Sequence, residues 1–138
     1  MSKKLSLILF SGTVDKLMAA SVITSGAVAM DMDVDIYATF YGLNSLRKEV
    51  VGTNMRFSKD FEEMGGQLIQ LMQQKQMPSW YETLAKAKKT GNVKIHGCTM
   101  TADLMGLKKE NFDPIVDDMC GVGTYIENAQ KADVTLFI

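Results

Sequence analysis

The chain has one histidine, two cysteines, two prolines and one tryptophan in 138 residues, and each scarcity excludes something. Two cysteines do not make a disulfide scaffold, and a reducing compartment keeps them as thiols unless chemistry uses them. With His96 as the sole histidine, a conventional Cys and His zinc set cannot be assembled within one chain, so no metal site is expected. No apolar run approaches the roughly 18 residues of a membrane span. The start Met1-Ser2-Lys3-Lys4-Leu5 leads into a strand rather than a signal-peptide core, which predicts a cytoplasmic protein. A formal net charge of -1 without a long basic run leaves no electrostatic footprint for nucleic acid.

What is present is apolar and alternating. At 46% hydrophobic residues the chain can build one real core, so a single domain over residues 1–138 is expected. Residues 4–10 form a short apolar run closed by Ser11-Gly12-Thr13, and residues 14–30 read as a helix rich in small side chains. Residues 34–40 are a second strand, β-branched and aromatic. Ser79-Trp80-Tyr81-Glu82 is a capping box opening a helix that stops at Gly91. A third strand, Val93-Lys94-Ile95-His96-Gly97-Cys98, then turns into a short helix ended near Gly106. A weak strand around Ile115 and Val116, a capping box at Thr124-Tyr125-Ile126-Glu127 and a last strand over residues 134–138 complete the pattern. This alternation predicts an α/β fold: three layers, α/β/α, with a mainly parallel five-stranded sheet.

Residues 49–78 do not fit that rhythm. Phe57, Phe61, Met64, Leu68, Leu71 and Met72 recur at three- and four-residue steps, which predicts an inserted amphipathic helix over residues 57–72, bent at Gly65-Gly66. Its apolar stripe exceeds what the βα plan buries, so it either packs on its own domain or, as expected here, contributes to a subunit interface. Several of the eleven methionines lie here, between Met55 and Met77, where pliable side chains suit a partner surface.

Cys98 holds the most informative position, at the C-terminal edge of a strand and facing a helix start, where open α/β folds place ligands and a thiolate is favoured. It also reads as a small buried hydrophobe. Strand alternation puts His96 on the same side as Cys98, where it would stabilise a thiolate or simply be hydrogen-bonded at the strand edge. Cys120 precedes Gly121-Val122-Gly123 at another strand end, so the two thiols are expected to be neighbours, although packing alone also explains Cys120. Asp117 and Asp118 beside it oppose a thiolate there, which leaves Cys98 as the nucleophile. The Thr99 and Met100 backbone amides are candidate anion stabilisers. Ser11, Gly12 and Thr13 are weaker ones, since the segment lacks the P-loop and dinucleotide glycine spacings and also reads as a plain capped turn.

The start from Lys4 to Lys16, Phe40-Tyr41-Gly42-Leu43, Cys98-Thr99-Met100-Thr101-Ala102-Asp103-Leu104-Met105-Gly106 and Gly121-Val122-Gly123-Thr124-Tyr125 together resemble the DsrE/DsrF-like family. The likeness is to its subgroup of single-chain proteins often labelled peroxiredoxin-like, and it spans nearly the whole chain outside the Met-rich insert. The resemblance implies a parallel-sheet fold, homo-oligomers, no cofactor, and sulfur relay with rhodanese-like donors and TusA-like carriers as partners. The family's active cysteine falls on Cys98. Where some relatives have a second cysteine a few residues on, this chain has Met105, Gly106 and Leu107, so a two-cysteine mechanism would rest on Cys120. The function expected is a sulfur carrier or sulfurtransferase-like protein that accepts sulfane sulfur or a thiosulfonate on a cysteine and passes it to a partner thiol. The alternatives are a small-ligand-binding or scaffold module with inert cysteines, or a thiol-redox protein.

Overall fold

The structure is a computed structural model describing residues 2–138. Strands β1 (Lys4–Leu9), β2 (Asp33–Ala38), β3 (Val93–Cys98), β4 (Asp118–Cys120) and β5 (Val134–Phe137) form one parallel sheet in the order β4-β3-β2-β1-β5. Helix α1 (Val14–Ala29) links β1 to β2, and α5 (Trp80–Thr90) leads into β3. Between β2 and α5 lie the short helices α2 (Phe40–Asn44) and α3 (Lys48–Val51) and the longer α4 (Gly65–Gln74). After β3 come α6 (Thr99–Met105) and, between β4 and β5, α7 (Val122–Ala129).

The strand order fixes the layers. The crossovers from β1 to β2 and from β2 to β3 step one way across the sheet, and the crossover from β4 to β5 steps back. Right-handed crossovers therefore put α1 and α5 on one face and α7 on the other. On the first face Leu5, Leu7, Leu9, Val34, Ile36, Val93 and Ile95 are buried, and α1 meets them through Leu17, Ala20 and Ala27. The second face is different. Register pairing aligns Ser6, Asp35 and Lys94, then Tyr37 with His96, and His96 with Asp118, so polar side chains share the face that α7 covers.

Several boundaries depart from the sequence pattern. Phe40 is not the end of β2 but the start of α2, at φ 45, and Gly106 closes α6 in the left-handed region at φ 69. Ile115 and Val116 are not a strand: Asp113 accepts the Ile115 N–H through Oδ1 at 2.9 Å and the Val116 N–H through its carbonyl at 3.0 Å, a turn whose apolar side chains plug the core. The fourth strand begins at Asp118. The Ser79 capping box is complete, whereas Thr124 and Glu127 lie inside α7, whose N-cap is Gly121. In the insert, residues 59–64 are a 3-10 helix and the α-helix starts at Gly65, so Phe57 precedes both and the glycines open α4 rather than bend it. A Cβ on Gly65 would lie 2.5 Å from the Phe57 ring, which explains the small residue.

Gly42 and Gly26 should respond oppositely to alanine. At Gly42 a Cβ would stand 2.1 Å from the Leu9 carbonyl oxygen, so Gly42→Ala must displace backbone and lower the urea-unfolding free energy by roughly 1–3 kcal/mol. Gly26 is exposed inside α1 with nothing near its Cβ position, so Gly26→Ala should raise it by about 0.5–1 kcal/mol.

Candidate functional site

Cys98 is the last residue of β3 and the N-cap of α6, with extended φ and ψ of -72 and 117. Its sulfur stands where a capping oxygen normally would, within reach of the backbone N–H three residues on, that of Thr101. The amides of Thr99 and Met100, the anion-stabilising candidates of the sequence, are those of the first two residues of α6. Cys98 is 3% exposed, and burial opposes its ionisation; the Thr101 and Tyr37 hydroxyls, the Thr101 N–H and the Thr39 hydroxyl overcome that and bring its pKa from 9.0 down to about 7.

Those hydroxyls form a connected set. Thr39 and Thr101 are hydrogen-bonded to each other at 3.2 Å, and Thr101 Oγ1 accepts the Phe40 N–H at 3.1 Å. The bond to Thr101 ties down the positive-φ turn at Phe40 and fixes Thr39 beside the sulfur. Tyr37 stacks on Tyr125 of α7 with ring centroids 4.6 Å apart, and the Tyr125 hydroxyl shares a hydrogen bond of 2.5 Å with Ser6. Tyr37 is 4% exposed, and its hydroxyl completes no hydrogen bond of ordinary geometry. Burial and the neighbouring Cys98 sulfur push its pKa strongly upward, so it remains a neutral donor.

Cys98 and Cys120 are register partners on adjacent parallel strands, and both are free thiols. Strands paired this way run about 4.8 Å apart with in-register side chains on one face, inside the Cα separation of about 4.4–6.8 Å that a disulfide tolerates. The thiols are electrostatically unequal. Burial, Asp118 and Cys98 raise the Cys120 pKa. Asp117 instead accepts the Ile95 N–H at 2.7 Å and pairs with Lys88, stapling the approach to β4 onto β3.

His96 lies one register step below the thiols and has both nitrogens occupied. Nδ1 donates to Asp118 at 2.6 Å and Nε2 to Asp35 at 3.2 Å, while Asp35 also pairs with Lys4 at 2.5 Å. Two carboxylate acceptors require two ring donors, the imidazolium form. Accordingly the Asp35 hydrogen bond, then Asp118, raise the His96 pKa against burial, and His96, then Lys4, lower that of Asp35. His96 is thus a structural cation on the polar face with no nitrogen left for Cys98.

Ser11, Gly12 and Thr13 are clasped by the insert and line a cavity together with Lys16 and Arg56. The Val14 N–H donates to the Arg56 carbonyl at 2.6 Å, Asn54 donates to the Gly12 carbonyl at 2.8 Å, and Ser58 bonds Asp15. Sequence reasoning missed Asp35, Tyr37, Thr39 and Thr101. Asp35 and Tyr37 alternate along β2 and Thr39 follows just past its end, but only the pairing of β2 with β3 shows that they surround His96 and Cys98.

The comparisons with known proteins agree with this architecture. A profile of the DsrE/DsrF/DrsH-like family matches residues 1–66 and 50–137. The chain belongs to that family. It is 36% identical to the uncharacterized protein YrkE of Bacillus subtilis (strain 168), over 99% of this chain and 98% of that protein. It is 29% identical to the sulfur carrier protein DsrE2 of Allochromatium vinosum, over 99% and 98%. Two solved structures share the fold: MTH1491 from Methanobacterium thermoautotrophicum, a protein of unknown function (TM-score 0.62, 13% identity, covering 99% of this chain and all of that one), and the ychN protein from E. coli (0.61, 12%, both chains fully covered). At family level these matches point to sulfur relay. Among the described residues no helix is long and apolar enough to cross a membrane.

Two measurements test the electrostatics. Alkylation of Cys98 in a Cys120→Ser background should rise with pH to half its maximum near pH 7, following the thiolate fraction; a midpoint near 9 would show that the hydroxyl set does not act on it. Because the folded pKa is the lower one, the stability Cys98 contributes is present above its ordinary pKa and lost as pH falls through about 7. His96→Gln should cost roughly 1.5–3 kcal/mol by leaving Asp35 short of a charged partner. The sign for His96 is opposite: its contribution is complete below the ordinary histidine pKa and fades as pH rises through the raised one, so the deficit of the variant should shrink in alkaline urea titrations.

Proposed function

We propose that this protein is a sulfur carrier in which Cys98 accepts sulfane sulfur or a thiosulfonate and passes it to a partner thiol. The observation carrying this reading is a thiol brought to about pKa 7 by buried hydroxyl donors, in a chain similar to a named sulfur carrier. The Cys98 thiolate attacks the outer sulfur of a donor persulfide; the donor S–S bond breaks, and the donor thiolate leaves with the electron pair. An acceptor thiolate then attacks the outer sulfur held on Cys98 and the Cys98 thiolate departs, so no net oxidation occurs and no cofactor is required.

Cys120 gives the site a second sulfur. It is less buried than Cys98 and its pKa is higher, which suits a thiol that receives sulfur from Cys98 and offers it outward. Rhodanese-like donors and TusA-like acceptors are the partners this chemistry calls for, in the reducing cytoplasm. The insert supplies a subunit contact. Phe61 is 57% and Leu71 48% exposed, Leu68 and Met64 lie beside them, and α4 carries no charge from Gly65 to Gln74.

Intact mass after incubation with polysulfide tests the carrier reading. Wild type and Cys120→Ser should gain sulfur while Cys98→Ser gains none and keeps its thermal midpoint within a few degrees; loading of Cys98→Ser would transfer the function elsewhere. Light scattering tests the contact: wild type should exceed monomer mass at micromolar concentration, and Leu71→Glu should lower it toward the monomer. A wild-type monomer would sink that part alone.

A further inference from the structure

Tyr37 carries the one buried polar side-chain atom at the site that the fold leaves without a partner. Its hydroxyl is buried, held in place by the Tyr37 and Tyr125 stack, and directed to the side of the sheet where Cys98 and Cys120 lie in register. Leaving a buried hydroxyl unpaired is costly, and a tyrosine here gains nothing over phenylalanine by packing alone. The protons around Cys98 can be counted. Thr39 and Thr101 hold one each; one is spent in the bond between them, so the pair offers one to the sulfur, and the Thr101 N–H offers another. The Tyr37 O–H is close enough to favour the Cys98 thiolate yet completes no hydrogen bond of ordinary geometry, so it is the donor free to turn to a sulfur added there.

We propose that Tyr37 is a catalytic residue that binds the cargo: its hydroxyl donates to the terminal sulfur of a Cys98 persulfide, and the site is built for a single sulfane sulfur rather than a thiosulfonate. This rests on the carrier reading above and narrows its cargo. A sulfane sulfur extends the side chain by one S–S bond, about 2 Å, and presents one anionic atom to one spare donor. A sulfonate would bring three more acceptor oxygens beside a thiol that is only 3% exposed, and each oxygen left unpaired there is penalised. The loading step is balanced: the Cys98 thiolate attacks a sulfane sulfur of a polysulfide, one S–S bond forms as another breaks, and the shortened polysulfide anion leaves with the electron pair. The added sulfur carries the negative charge, stabilised by the Tyr37 O–H without proton transfer.

The experiment compares sodium polysulfide with tetrathionate as donors, read by intact mass under non-reducing conditions. Tetrathionate attacked by a thiolate releases thiosulfate and leaves a thiosulfonate adduct, so the two donors report the two cargoes. In a Cys120→Ser background, Cys98 should gain one sulfur from polysulfide and react with tetrathionate far more slowly. Tyr37→Phe preserves the stack on Tyr125, so its thermal midpoint should match or exceed that of the parent, while persulfide occupancy falls roughly tenfold, the worth of one hydrogen bond to an anion. Equal persulfide occupancy in Tyr37→Phe, or tetrathionate labelling of Cys98 as fast as polysulfide loading, would overturn the assignment and leave the carrier function standing. Loading of Cys98→Ser would overturn both.

Discussion

The register between β2, β3 and β4 is the constraint on which the rest depends. Because the strands are parallel and pair without a bulge, Tyr37, His96 and Asp118 fall in one row across the sheet, and Cys98 and Cys120 fall in the next. A slip of one residue would send every one of these groups to the opposite, apolar face. There, α1 and α5 would meet a buried histidine and two carboxylates with no partners. The aliphatic residues of the first face hold the register, and the reactive row follows from it.

Two kinds of charge are kept on the second face by different means. His96, Asp35, Asp118 and Lys4 neutralise one another pairwise, so the row below the thiols is an ionic network rather than a reagent. Cys98 takes no hydrogen bond from that network, since both His96 nitrogens are spent on carboxylates. Its thiolate is favoured by neutral donors, three hydroxyls and one backbone N–H, against the desolvation that burial imposes. Donors of this kind suit a carrier: they steady an anionic sulfur through short-range dipoles without binding it as tightly as a buried ammonium would, so the anion can still leave.

The asymmetry between the thiols comes from the same row. Burial raises the Cys120 pKa most, and Asp118 at the start of β4 and the closeness of Cys98 raise it further. One sulfur is acidic and nearly enclosed; its neighbour is less acidic and more accessible. The apolar surfaces of the insert lie on a segment whose Ile69 and Met72 face a cavity shared with Val14 and Met18 of α1, and the clasp from Arg56 and Asn54 onto the β1 turn anchors that segment to the sheet. That clasp uses the Gly12 carbonyl and the Val14 N–H, and Ser11 to Thr13 still line a cavity together with Lys16 and Arg56.

The sequence by itself determined most of the local elements and the strand-end position of Cys98. Apolar runs, the Ser79 capping box, the left-handed Gly106 and the strand-end position of Cys98 are short-range features, set by side-chain pattern and backbone sterics within a few residues. Apolar burial was less legible where it came from turns: Ile115 and Val116 look like a strand because a core-plugging turn and a strand select the same side chains. Phe57 matched a helical period for the same reason, its ring packing on Gly65 from outside the helix. Only the tertiary structure decided that β2 lies beside β3, and hence that Tyr37, Thr39 and Asp35, some sixty residues before Cys98 and His96, complete their surroundings. No local pattern encodes strand order, since it arises from how the two faces of the sheet are covered; the donors that make Cys98 acidic come from that long-range choice.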